Sequence, residues 1–115
     1  MKLKDVEALI LSFPDVERGK SYGYPSFKVA GKFFTRIRAE DDSIVLTDVN
    51  IDEREMLIEA EPKTFHVTPH YQNYPTVLAR IDAIDKKTLT AMLARIWMRK
   101  APKKLVKAYE AEQKD

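Results

Sequence analysis

Ser26-Phe27-Lys28-Val29-Ala30-Gly31-Lys32-Phe33-Phe34-Thr35-Arg36-Ile37-Arg38-Ala39-Glu40-Asp41-Asp42-Ser43-Ile44-Val45-Leu46-Thr47 reads as three β-strands joined by tight turns. Residues 26–30 alternate apolar and polar with period two, and Gly31 supplies the turn. Residues 32–38 then return as the second strand of a hairpin. Asp41-Asp42 turns the chain again, and residues 43–47 form the third strand. An antiparallel meander of this kind calls for a layer of helices to cover one of its faces.

The flanking segments supply that layer. Leu3, Val6, Ile10 and Phe13 recur at helical spacing, so residues 2–13 read as an amphipathic helix that Pro14 ends. Residues 15–24 are polar, with Gly19 and Gly23 as turn formers, and read as a connection. After the meander, Asn50 or Asp52 can cap a second helix, with Glu53 or Glu55 three residues on. Ile51, Leu57 and Ile58 are its expected buried side, and Pro62 closes it. Two further strands, 64–68 and 76–81, flank a loop holding His70, Tyr71 and Tyr74. Asp85 caps a third helix, where Leu89, Met92, Leu93, Ile96 and Trp97 give the strongest periodicity in the chain. Ala101-Pro102 kinks or restarts it, and Leu105, Val106 and Tyr109 carry a last short helix. The expected fold is α+β in two layers, ordered α-βββ-α-ββ-α(α). One antiparallel five-stranded sheet is covered by helices on one face.

A chain of 115 residues is expected to fold as one domain, 1–115, around a single modest core. Apolar residues at 44% and charged residues at 33% fit a globular protein rather than a disordered one. The apolar runs are too short for a membrane span, and the first residues lack a signal peptide's apolar block, so a cytoplasmic location is expected. The absence of cysteine excludes disulfides, thiolate chemistry and zinc-ribbon sites.

Catalytic and metal motifs are scarce. His66 and His70 have the four-residue spacing that chelates a metal on a helix, but Pro69 denies a helix there. In extended chain the two rings lie roughly 13 Å apart, so no metal site is expected. No serine stands in a Gly-x-Ser-x-Gly elbow, and three glycines are too few for a phosphate-cradling loop or dinucleotide fingerprint. No catalytic residue and no cofactor are assigned. A small-molecule or enzymatic site lined by Tyr24, His70, Tyr71 and Tyr74 is the least favoured reading.

The cations are more informative. From Lys86 to Tyr109 there are eight Lys or Arg and no Asp or Glu. Arg95, Arg99, Lys103 and Lys107 are spaced by four, one edge of a helix if the break at Pro102 is gentle. Lys100 and Lys104 flank that edge. In the hairpin, Lys28 lies on one strand, Lys32 sits by the turn, and Arg36 and Arg38 share a face of the next strand. Phosphate contacts through these groups would make binding salt-dependent. Tyr22, Tyr24, Tyr71 and Tyr74 can stack on exposed bases, or simply pack beside the sheet. Trp97 and Phe27 are assigned to the core.

Three motifs resemble the signature of the MmcQ/YjbR family. They are Ser21-Tyr22-Gly23-Tyr24-Pro25-Ser26-Phe27-Lys28-Val29-Ala30-Gly31-Lys32-Phe33-Phe34, Phe65-His66-Val67-Thr68-Pro69-His70-Tyr71 with Tyr74-Pro75, and Ala101-Pro102-Lys103-Lys104-Leu105. The resemblance implies a small α/β protein similar to the secretion-chaperone fold, with a proposed DNA-binding role. Ala30 departs from the family's frequent second glycine, which bears on the turn type. The expected function is non-catalytic binding of double-stranded DNA, by a monomer or weak homodimer. A chaperone-like module with a protein partner is the alternative.

Overall fold

The computed structural model describes residues 1–21 and 23–113. The chain runs α1 (Leu3–Leu11), β1 (Val16–Ser21), β2 (Tyr24–Val29), β3 (Lys32–Thr35), β4 (Ile37–Arg38), β5 (Ser43–Thr47) and α2 (Ile51–Ala60). It continues through β6 (Phe65–His66), a 3-10 turn (Pro69–Tyr71), β7 (Thr76–Arg80), α3 (Lys86–Lys100) and α4 (Lys103–Gln113). The α+β class stands as expected. The single five-stranded sheet does not: the described residues form two antiparallel sheets, ordered β1-β2-β3 and β4-β5-β7-β6.

The change of sheet falls inside the meander. The second strand of the hairpin, expected over residues 32–38, divides at Arg36 into β3 and β4. A β-bulge where Phe27 meets Lys28 already shifts the β2–β3 register, and bulges bend and twist the strands that carry them. At the bend, the Thr35 hydroxyl donates to the Val45 carbonyl at 2.6 Å, and the Val45 N–H donates to the Arg36 carbonyl at 3.0 Å. These two bonds tie the sheets together.

The polar connection over residues 15–24 is also corrected. Val16–Ser21 is a full edge strand, paired residue by residue with β2 from Val16↔Val29 to Ser21↔Tyr24. With Val16 as its only large apolar residue, it carries no alternating pattern. Charged edge strands of this kind are held by backbone pairing to a neighbour and resist edge-to-edge association. The β2–β3 turn explains Ala30. Ala30 and Gly31 have φ of 50° and 80°, as a two-residue I′ turn requires, and the left-handed alanine costs roughly 1 kcal/mol.

The core forms where α1 and α3 lie on the sheets. Ile44, Leu46, Val77 and Ala79 share one face of the second sheet and pack with Val6, Leu9 and Ile10 of α1. Leu89, Met92, Leu93, Ile96 and Trp97 of α3 are all buried, as their spacing requires. Asp85 caps α3, its carboxylate accepting the Thr88 N–H at 2.8 Å. Trp97 and Phe27 are in the core as expected. Leu3, by contrast, is half exposed, and Leu9 takes its expected place inside.

Two helices depart from their patterns. Asn50 caps α2, accepting the Glu53 N–H at 2.8 Å, but Ile51 is exposed and the one fully buried residue of α2 is Arg54. Ala101 is extended (ψ 151°), so α3 and α4 are separate helices. Trp97 and Tyr109 would be about 18 Å apart on one continuous helix. Their ring centroids stand 5.0 Å apart, so α4 folds back across α3. No helix among the described residues is long and apolar enough to cross a membrane.

Candidate functional site

The cations named from the sequence fall into two groups. The first gathers where α3 ends. The Lys100 ammonium lies 5.9 Å from the centroid of the Phe33 ring on β3. Phe33 pairs with Lys28 of β2 and adjoins Lys32 at the turn, so the hairpin and the end of α3 meet. Lys103 and Lys104 follow Pro102, just past the extended Ala101, and Arg99, Lys103, Lys104 and Lys107 are exposed. One carboxylate interrupts the group: Glu17 is the cross-strand partner of Lys28.

The expected straight strip of Arg95, Arg99, Lys103 and Lys107 does not exist, because the helix breaks sharply at Ala101. Arg95 is engaged elsewhere. Its guanidinium forks onto Glu53 of α2 at 2.8 and 3.3 Å, a bidentate pair that fastens α3 to α2.

The second group lies on the face of the second sheet away from the core. Arg36 and Arg38 share that face, as their spacing predicts, and their side chains are mostly buried. Both reach the Glu40 carboxylate, at 3.7 and 3.9 Å, and Arg38 also bonds Asp41 at 3.2 Å. Glu40, with Asp41 of the expected Asp41-Asp42 turn, therefore holds the hairpin arginines in place. The guanidinium of Arg36 covers the Tyr24 ring at 4.7 Å, and that of Arg38 faces the Tyr71 ring at 5.9 Å. His70 meets Tyr71 edge-on at 4.6 Å and Tyr74 at 6.4 Å. The hairpin cations and the loop aromatics, unconnected in the sequence, are one assembly. Tyr22 lies outside the described residues.

Arg54 shapes the loop from below. Arg54 is 2% exposed, and its guanidinium donates to the carbonyls of Tyr71, Gln72, Tyr74 and Thr76 at 3.1–3.4 Å. Sequence reasoning missed it. The one available signal is that Arg54 is the lone cation in a helix carrying Asp52, Glu53, Glu55 and Glu59.

The two histidines have separate partners. His66 Nε2 lies 2.8 Å from Ser43 Oγ and 3.9 Å from Asp41, while His70 belongs to the aromatic cluster. Burial, then the charge of Arg80, hold the His66 imidazole below its ordinary value; Asp41 opposes them and Arg38 adds to them. The unfolded chain then takes up a proton near pH 6.5 that the folded chain refuses until lower pH. Above that value both states are neutral at His66 and its contribution to stability is complete. It is lost as pH falls from about 6.5 through the lower folded value. Urea midpoints should therefore drop on acidification through this window, and His66→Gln should flatten the drop. An unchanged pH profile in that variant would refute the assignment.

No group of three or more His, Asp or Glu side chains among the described residues is arranged to hold a metal ion. A family model described as YjbR matches residues 11–99. An uncharacterized protein of Mycobacterium bovis and two of Mycobacterium tuberculosis are each 34% identical over 80 residues, which is 67% of this chain. The match spans 62% of the length of those relatives. No solved structure gives a significant match.

Proposed function

This chain belongs to the YjbR family, and from that premise we propose a cytoplasmic, non-catalytic module that holds double-stranded DNA by its phosphates. The observation that carries the reading is the seat of Lys100 on Phe33. It gathers Lys28, Lys32 and Lys100 at one corner of the molecule, with Lys103 and Lys104 just beyond the extended Ala101. Lysines on flexible stems suit contacts that follow a phosphate backbone without reading sequence. Arg95, Arg36 and Arg38 are paired with carboxylates and lie outside this lysine group.

Four to five phosphate contacts set a log–log salt slope of about −4, or about 250-fold weaker binding between roughly 50 and 200 mM salt. Anisotropy titration of a labelled duplex is expected to show this slope. Lys32→Glu, Lys100→Glu and Lys103→Glu should each weaken binding about tenfold or more, and Lys2→Glu and Lys4→Glu much less. Failure to bind duplex at low salt would sink the reading. The chaperone-like alternative predicts instead a protein partner whose binding barely responds to salt.

A further inference from the structure

Tyr24 of β2 and the rings of the β6–β7 loop, bridged by Arg36 and Arg38, form a strip with an exposed tyrosine at each end. Tyr24 is 55% exposed and Tyr74 57% exposed. Between them the contacts are unbroken. Tyr24 lies under Arg36, Arg36 and Arg38 share Glu40, Arg38 faces Tyr71, and His70 links Tyr71 to Tyr74. The strip begins on β2, the strand that also carries Lys28, but none of its contacts uses a lysine of the corner at the end of α3.

We propose that this strip is a platform for unpaired bases, with one base stacking on Tyr24 and another on Tyr74. A tyrosine backed by a guanidinium presents a rigid ring with little freedom left to lose, which suits it to stacking. The guanidinium of Arg36 occupies one face of Tyr24, and its half-exposed ring offers the other to a ligand. Arg36 and Arg38 lie between the two end rings, where the linking phosphates would pass. Their shared partner Glu40 is itself 56% exposed and can yield one guanidinium N–H to a phosphate oxygen. Stacking accepts any base, because every base has a π-face, so the ligand class is single-stranded nucleic acid without fixed sequence. For that class the proposal rests on the nucleic-acid reading above, though it uses different residues.

The probes are a short labelled single strand of oligothymidine, an abasic strand of the same length, and a duplex. At one salt concentration oligothymidine should bind more tightly than the abasic strand, since only the former can stack. Tyr24→Leu and Tyr74→Leu should each weaken oligothymidine binding between about fivefold and a hundredfold, and leave duplex binding unchanged. Tyr24→Phe should retain it, because the ring remains and only the hydroxyl is lost. Equal binding of oligothymidine and abasic strand would overturn the proposal, as would indifference to both leucine variants. Base-dependent oligothymidine binding without duplex binding would uphold the strip and remove the duplex reading. Duplex binding lost on Lys100→Glu, with no preference for bases, would do the reverse.

Discussion

Arg54→Met is expected to lower the unfolding free energy by about 3 kcal/mol, a large share of the margin of a domain this size. The methionine fills much of the space but donates nothing. The carbonyls of Tyr71, Gln72, Tyr74 and Thr76 lose their common partner, and charge-assisted bonds of this kind count for more than neutral ones. Urea denaturation measures the loss, and faster amide exchange over residues 71–76 locates it. Arg54→Lys should recover less than half, because a single ammonium cannot reach carbonyls spread along six residues of chain as a planar fork does. If the lysine variant matched the wild type, the loop would not depend on the fork. Because that loop carries Tyr71 and Tyr74, the methionine variant should also weaken oligothymidine binding.

Trp97→Ala is expected to cost about 4 kcal/mol. Its ring is fully buried and touches Phe13 at 6.3 Å and Tyr109 at 5.0 Å between centroids, while Nε1–H donates to the Pro14 carbonyl at 2.9 Å. One side chain thus joins α3, the end of α1 and α4. Removing it should release α4 first, seen as lost amide protection over Lys103–Gln113 before global unfolding. Trp97→Phe keeps much of the packing and loses the indole bond, at about 1–2 kcal/mol. A small effect of the alanine variant, with α4 still protected, would mean that Leu105 and Val106 dock that helix unaided. Since Lys103, Lys104 and Lys107 ride on α4, a freed helix should also weaken duplex binding.

The residues that misled sequence reading share a physical feature. β1 carries a single large apolar residue, and its strand state comes from six backbone pairings with β2. Arg54 belongs to no apolar period, because what buries it is a set of carbonyls up to 22 residues away. Arg95 looks like a free cation until Glu53, 42 residues earlier, is brought within 2.8 Å. Arg36 and Arg38, grouped by sequence with the hairpin lysines, lie instead over Tyr24 and Tyr71, which sequence reasoning places in one candidate pocket.

What the sequence determined by itself is local. The buried stripe of α3, the caps at Asn50 and Asp85, the turns at Gly31 and Asp42, and the strands at the heart of the second sheet follow from periodicity and short-range bonds. These depend on neighbours within about four residues, and the chain alone supplies them. The tertiary structure decided the division of the meander into two sheets, the return of α4 and the partner of each arginine. Each of those depends on which distant carbonyl, carboxylate or ring comes within a few ångströms, and that is set only when the core closes.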